Sequence, residues 1–232
     1  LVPGLLDAAL ITFAVQERER KPVAHVSFGD SLRALPPRYR RFLLAVGLFG
    51  MGDFAHTLLI LLATVKLTPV LGPAKAATIA TALYLLHNVF YAGFSMAAGW
   101  LADHLNKGFL LAGGYFLAAL MALAVIFLPL TVWTLALIFL VGGVYVGLEE
   151  TLEDSFCAEL VPEAQHGMAF GTLATVNGLG DFVSSAVVGW LWTLAGTGAA
   201  FAYSAVLFVL GGLLVLRVAR PPSSQAPASA SG

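Results

Sequence analysis

Six long apolar stretches follow one another along the chain, separated by short segments that contain proline or polar residues. They cover residues 42–65, 74–101, 109–128, 131–158, 168–194 and 199–216. A helix needs about 20 residues to cross the roughly 30 Å hydrocarbon layer of a bilayer. It also bonds its own backbone N–H and C=O groups, as a lipid environment requires. The pattern therefore predicts an all-α, polytopic membrane helix bundle with six transmembrane helices.

The composition supports this prediction and argues against several other classes of protein. The 232 residues are 59% hydrophobic and 11% charged, whereas soluble domains carry about 25% charged side chains. One cysteine, Cys157, excludes a disulfide scaffold and a cysteine-rich metal centre. A net charge of -1 gives no electrostatic case for nucleic acid. No G-x-x-x-x-G-K-[ST] loop occurs, so ATP drive is not supported, and no cofactor is predicted.

Two segments precede the first predicted span. Residues 1–15 are apolar and follow no basic region, and we expect them to be the end of a preceding transmembrane helix. Residues 16–41 are charged and are predicted to form a cytoplasmic linker. Within that linker, Phe28, Leu32 and Leu35 have the spacing of a short interfacial helix. A plain solvated loop is the alternative, because so short a helix is marginal by itself.

Lysine and arginine are distributed unequally between the two sides of the predicted bundle. Ten of the twelve fall on one side. They are Arg18, Arg20, Lys21, Arg33, Arg38, Arg40, Arg41, Lys107, Arg217 and Arg220. Basic loops stay in the cytoplasm, so this side of the bundle is predicted to be cytoplasmic. Residues 42–218 are predicted to form a six-helix domain in the cell (plasma or inner) membrane. Residues 219–232, rich in Pro, Ser and Ala, are predicted to be a disordered cytoplasmic tail.

Three segments resemble those of a known family. Residues 99–108 read Gly-Trp-Leu-Ala-Asp-His-Leu-Asn-Lys-Gly and resemble the loop signature G-x-L-A-D-R-x-G-R-[KR] of the major facilitator superfamily. Residues 158–171 are similar to its A-x-L-V-P-x-x-x-R-G-x-A-x-G segment, and residues 32–36 to its central loop. The resemblance covers essentially the whole chain. It implies the C-terminal six-helix half of a small-molecule or drug carrier, with the N-terminal half missing from this chain.

The resemblance also implies a conformational loop motif made of Gly99, Asp103 and Lys107. The family pattern has an arginine where this chain has His104 and again where it has His166. Histidine is mostly neutral at pH 7, so a permanently charged latch is not expected at these two positions. For Asp103 the alternative is a simple capping or interfacial acid.

Polar side chains recur near the middle of three predicted spans. They are Asp53 and His56 in the first, His87 and Asn88 in the second, and Asn177 and Asp181 in the fifth. An ionisable group at that depth costs roughly 2.5–3.5 kcal/mol, so its presence needs a reason. The third and sixth spans carry no charged residue. They are expected to face lipid while the other four enclose a cavity, the division that the resemblance implies.

Each of these polar pairs has a functional and a structural interpretation. Asp53 and His56, three residues apart, would share one helical face and exchange a proton as the cavity opens; alternatively, they are a satisfied polar pair. His87 and Asn88 would either reach the cavity or join two helices by hydrogen bonds. For Asn177 and Asp181, substrate contact and helix packing are equally open.

The fourth span carries the densest acidic signal. Glu149, Glu150, Glu153 and Asp154 share one side of the helix at about 100° per residue. Four like charges so close cannot all stay ionised cheaply, so at least one is expected to be protonated or paired with a cation. This favours proton or cation coupling. The alternative is an interfacial acidic cluster countered by Lys or Arg from elsewhere.

Glycines and aromatic residues complete the candidate residues. Gly142, Gly143 and Gly147 are expected to allow close contact between helices. A set of aromatic residues could line a cavity, although packing in the core or against lipid is the commoner fate. That set is Tyr84, Phe90, Tyr91, Phe94 and Tyr145.

The function that these features predict is secondary active transport of a small molecule by alternating access, coupled to protons and without enzymatic activity. A non-transporting membrane receptor or scaffold is one alternative. Metal export through Asp53, His56 and His87 is another. An intramembrane enzyme is weakest, because the chain has no H-E-x-x-H pair and no serine with an evident base.

Overall fold

The structure is a computed structural model, and it describes residues 33–220. Over that range the chain is helical and contains no strand. The helices are α1 (Pro37–Gly50), α2 (Thr57–Leu71), α3 (Pro73–His104), α4 (Lys107–Phe127), α5 (Val132–Leu160), a short 3-10 turn (Glu163–Gln165) and α6 (His166–Ala219). The predictions for residues 1–32 and 221–232 lie outside the described residues.

The last helix is two helices that meet at a glycine. A single 54-residue helix would be about 80 Å long, far more than a bilayer needs. Gly196 interrupts α6 with φ 84° and ψ 173°, a conformation that essentially only glycine adopts. We call the two parts α6a (166–195) and α6b (197–219). They correspond to the predicted fifth and sixth spans.

Helices α3, α4, α5 and the stretch that ends at Ala219 are long and apolar enough to cross a membrane. With α6 divided at Gly196, and with α1 and α2 taken together, the described residues supply six segments of spanning length. Helices α3, α4 and α5 begin and end within three residues of the predicted spans. Asn106 explains one boundary, because its side chain accepts the backbone N–H of Phe109 at 3.1 Å and caps α4.

The first predicted span, 42–65, is not one continuous helix. It begins earlier, at Pro37 in the predicted linker, because proline at the first turn gives up no intrahelical bond. It stops at Gly50 and resumes at Thr57 as α2. Helix α2 then runs past the predicted end, through Pro69, and closes at Gly72. The six residues 51–56 between α1 and α2 are non-helical, and we call them the break.

The break lies where two other helices approach. A Cβ on Gly52 would collide with Leu207 and with the backbone of Ser204 on α6b. From α6a, the hydroxyl of Ser184 donates to the backbone carbonyl of Asp53. A backbone carbonyl without its helical partner is costly in an apolar bundle, so this hydroxyl stabilises the interrupted conformation.

An aromatic cluster holds α1, α4 and α6b together. The ring of Phe49 stacks on Tyr115 with centroids 3.8 Å apart and lies at a tilt of 32° against Phe208, with centroids 4.6 Å apart. All three rings are fully buried. The inner faces of the third and sixth spans therefore form part of the core, whereas their outer faces are apolar and exposed, as at Leu120 and Val206.

Helices α3 and α5 pack backbone to backbone. A Cβ on Gly143 would collide with the carbonyl oxygen of His87, and one on Gly147 with that of Tyr91. The glycine contacts predicted from the sequence thus bring these two helices to their closest approach. One consequence is that the side chain of His87 on α3 lies against α5.

Candidate functional site

The polar centre of the bundle is a cavity of about 400 Å³ between the break, α5 and α6a. Roughly half of its wall is polar. The lining residues are Gly50, Asp53, Phe54, Ala55, His56, Val146, Glu149, Glu150, Asn177, Asp181 and Ser185. None of them comes from α4 or α6b. Six of the side chains predicted from the sequence meet here, from the first, fourth and fifth spans: Asp53, His56, Glu149, Glu150, Asn177 and Asp181.

Asp53 and His56 are joined through a residue of another helix. The hydroxyl of Tyr145, on α5, donates to Asp53 Oδ1 at 3.0 Å and lies 3.4 Å from His56 Nε2. The ring of Tyr145 is fully buried. The prediction that Asp53 and His56 share a helical face was wrong, because the break is not helical. Their connection depends on Tyr145 instead.

The second predicted span does not line this cavity, contrary to the expectation that four spans enclose it. His87 is buried, with its ring 4.7 Å from that of His56 and its Nδ1 3.3 Å from the carbonyl of Phe139. Asn88 donates to the carbonyl of Tyr84 on its own helix and lines a separate groove. Because α3 packs closely on α5, the side chain of His87 lies in the interface between these helices, where its ring contacts that of His56.

The four acids of α5 divide into three environments. Glu149 and Glu150 line the cavity, and Glu150 accepts a hydrogen bond from the hydroxyl of Tyr91. Glu153 is buried beyond the lining, where it accepts from Tyr115 and, at 2.8 Å, from Asn177 Nδ2. Asp154 is exposed away from the cavity. The helical arc that the four share is wider than the cavity, so only two of them reach it.

The loop motif after α3 is outside the cavity. Lys107 Nζ lies 4.0 Å from Glu159 Oε2 and 3.5 Å from the carbonyl oxygen of Ser155, which ties the start of α4 to the end of α5. Asp103 is exposed, and a Cβ on Gly99 would meet open space. The motif therefore joins helix ends and contacts no cavity residue.

The histidines that replace family arginines bond to helix ends. His104 Nδ1 lies 2.7 Å from the carbonyl oxygen of Trp100. His166 Nε2 lies 3.3 Å from the carbonyl oxygen of Ala158, in the last turn of α5, and 3.0 Å from that of Val161, the residue that follows the helix.

The residues considered for metal binding do not form a ligand set. Within residues 33–220, no three His, Cys, Asp or Glu side chains are arranged to hold a metal ion. Asp53, His56 and His87 form a row in which Tyr145 bridges the first two. The metal-export alternative gains no support from this arrangement.

Sequence reasoning missed two hydroxyl groups that bond the acids and one serine of the cavity wall. Tyr145 and Tyr115 both bond carboxylates, although Tyr145 was considered only as a candidate for lining an apolar cavity. Ser185 on α6a lines the cavity beside Asp181. One signal was available for Tyr145: it precedes Glu149 by four residues, and so shares its helical face. Nothing in the local sequence singled out Tyr115.

This geometry defines a class, that of polytopic helical integral membrane proteins with a polar cavity inside the bundle. The family can be stated as well. The sequence matches the model of the Major Facilitator Superfamily over residues 2–180 and again over 42–232. The chain therefore belongs to that superfamily, as the loop motifs indicated.

The chain is also similar to a curated protein of Methanocaldococcus jannaschii that is described as an uncharacterized MFS-type transporter. The two are 28% identical over 219 residues, which is 91% of this chain and 54% of the relative. The chain thus spans about half the length of the relative that it matches.

Proposed function

We propose that this chain is the C-terminal six-helix half of a secondary active transporter that moves a small molecule by alternating access, with protons as the coupling ion. Its partners are then the small-molecule cargo, protons, the lipid bilayer and an N-terminal half of similar size. The superfamily and the half-length match to an MFS-type transporter support the assignment to transport.

One observation carries the proton coupling. Asp53 is a carboxyl on the cavity wall, in an interrupted helix, and it shares the hydroxyl of Tyr145 with His56. Carboxyl and imidazole groups within a membrane are costly, and are retained where they pair or border water. A carboxyl that is hydrogen-bonded to a phenol and open to a cavity can gain and lose a proton without leaving its site.

The break can act as a hinge beside the cavity, between α1 and α2. Helix α1 is fastened to α6a, since the hydroxyl of Tyr39 donates to the carbonyl of Ala169 at 2.6 Å and Gly50 packs on the backbone of Gly180. Helix α2 packs chiefly on α3. The residues between α1 and α2 therefore connect two packing groups. Movement of one group against the other would change which face of the membrane reaches Asp53.

The test uses a cysteine on the cavity wall and needs no substrate. In the full-length protein, Ser185→Cys is labelled with a membrane-impermeant maleimide in right-side-out and inverted vesicles. The native Cys157 is buried and reacts slowly. We expect labelling from both faces, with a ratio between the two faces that changes with pH as the coupling carboxyl gains and loses its proton.

Asp53→Asn is expected to remove that pH dependence, because the amide cannot take up a proton. Asp154→Asn is the control, since Asp154 is exposed outside the cavity. Labelling from one face at every pH would contradict alternating access and favour the receptor or scaffold alternative. A pH dependence that survives in Asp53→Asn would remove Asp53 as the coupling group.

A further inference from the structure

The cavity wall carries an excess of carboxyl groups. Four of its eleven lining residues are acids, namely Asp53, Glu149, Glu150 and Asp181. Among the described lining residues His56 is the one basic side chain, and no lysine or arginine of residues 33–220 contributes to the wall. The wall therefore presents an excess of carboxyl oxygens, which can accept hydrogen bonds from a bound molecule.

The carboxyl groups of the wall differ in the hydrogen bonds that they accept. Asp53 accepts from Tyr145, and Glu150 accepts from Tyr91. Glu149 is 8% exposed and faces the cavity, yet no residue between positions 33 and 220 donates a hydrogen bond to its carboxylate. Buried polar groups are nearly always hydrogen-bonded, and leaving one without a partner is costly. Because Glu149 lines the cavity, its carboxyl oxygens are open to a donor that enters the cavity.

No fixed cation of the described residues compensates these acids. The lysines and arginines between residues 33 and 220 lie at or near helix ends. The one ion pair in that range joins Lys107 to Glu159, away from the cavity. The donor that Glu149 lacks is therefore not supplied by a neighbouring cationic side chain in this part of the protein.

We propose that the cavity binds an organic cation that carries N–H groups, an alkylammonium or a guanidinium, with Glu149 as its principal acceptor. A volume of about 400 Å³ falls within the range of small-molecule sites. The apolar part of the wall, at Phe54, Ala55 and Val146, would hold the carbon portion. A quaternary ammonium has no N–H to donate and would leave Glu149 unsatisfied. This inference rests on the proposed function, because it names the class of cargo.

The test is equilibrium binding to the full-length protein in lipid nanodiscs, with no ion gradient. The probes share one scaffold: phenethylammonium, its N,N,N-trimethyl derivative, neutral 2-phenylethanol and anionic 3-phenylpropanoate. Phenethylguanidinium tests the second kind of N–H donor. Calorimetry and the shift in thermal unfolding report binding. We expect the two N–H cations to bind, and the neutral, anionic and trimethylated probes to bind more weakly by about tenfold or more.

Variants locate the site. Glu149→Gln is expected to weaken phenethylammonium at least about tenfold, whereas Glu163→Gln, an exposed acid of the 3-10 turn, should bind as the wild type does. If Glu149→Gln fails to fold, Asp181→Asn on the exposed part of the wall serves instead, with a smaller loss in the same direction. Binding that is equal for cation and neutral probe, absent for both N–H cations, or unchanged in both cavity variants overturns the proposal.

The binding experiment and the labelling experiment test different parts of the proposal, so each can fail without the other. Cation binding without a pH-dependent labelling ratio would keep the cargo class and remove proton coupling. A pH-dependent ratio without cation binding would keep the transporter and remove the cargo class.

Discussion

At the scale of single residues, a tyrosine hydroxyl organises the ionisable groups of the cavity. Tyr145 is fully buried, yet its oxygen contacts both Asp53 and His56. A buried hydroxyl normally has a partner, and here the partners are the two groups proposed to handle the proton. Asp53 alone could not reach His56 by helical spacing, because the segment between them is not helical.

Removal of that hydroxyl should disturb coupling more than stability. Tyr145→Phe keeps the ring packing and loses hydrogen bonds to a polar pair, at a cost of about 1 kcal/mol in the free energy of unfolding. The pH dependence of Ser185→Cys labelling should flatten in the same background. Tyr203→Phe, a half-buried tyrosine on α6b outside the cavity, is the matched control. Full pH dependence in Tyr145→Phe would exclude the hydroxyl from the coupling pathway.

At the scale of helices, close backbone contact decides which side chains reach the cavity. Gly143 and Gly147 let α5 approach the backbone of α3, so His87 lies in the interface between them. In lipid, such contacts supply much of the attraction between helices, since apolar side chains gain little by leaving the lipid for each other. The same approach fixes α5 and its acids relative to the break.

Filling that contact should separate the two helices. A Cβ on Gly143 has no space against the carbonyl of His87, so Gly143→Ala is expected to destabilise the protein by about 1–3 kcal/mol. Gly189→Ala, where a Cβ meets open space within α6a, should be neutral or stabilising by up to about 1 kcal/mol. Thermal unfolding in detergent, followed by tryptophan fluorescence, measures both. Equal stability of the two variants would show that this contact is not what holds α3 to α5.

At the scale of the whole molecule, the distribution of positive charge sets the expected orientation. In the predicted topology, ten of the twelve lysines and arginines fall on the side that contains the loop between α3 and α4. Basic segments are retained in the cytoplasm during insertion. We therefore propose that this loop and the C-terminus lie in the cytoplasm of a cell with the protein in its plasma or inner membrane.

Single cysteines in two loops test this orientation. Leu105 is 54% exposed between α3 and α4, and Leu128 is 40% exposed after α4. In intact cells, an impermeant maleimide should label Leu128→Cys directly and Leu105→Cys only after permeabilisation, with Cys157→Ala as the background. The reverse pattern would place the C-terminus outside.

The sequence by itself determined the class of structure. Long apolar stretches can lie in lipid only as internally bonded helices, so the limits of α3, α4 and α5 followed from local composition. The loop motifs were sufficient to indicate the superfamily, and membership was confirmed by the family match. Asp53, His56, Glu149, Glu150 and Asp181 could be selected because ionisable groups are rare inside such stretches.

Tertiary structure alone decided how those groups are arranged. The break occurs because Gly52 fits against α6b and Ser184 satisfies the carbonyl of Asp53, contacts that are distant in sequence. Helix packing directed Asn88 to a separate groove and brought the hydroxyl of Tyr145 against Asp53 and His56, although both residues lie on predicted spans. Local sequence fixes the depth of a side chain along its helix, whereas its direction depends on which neighbouring helix comes close enough to bury it.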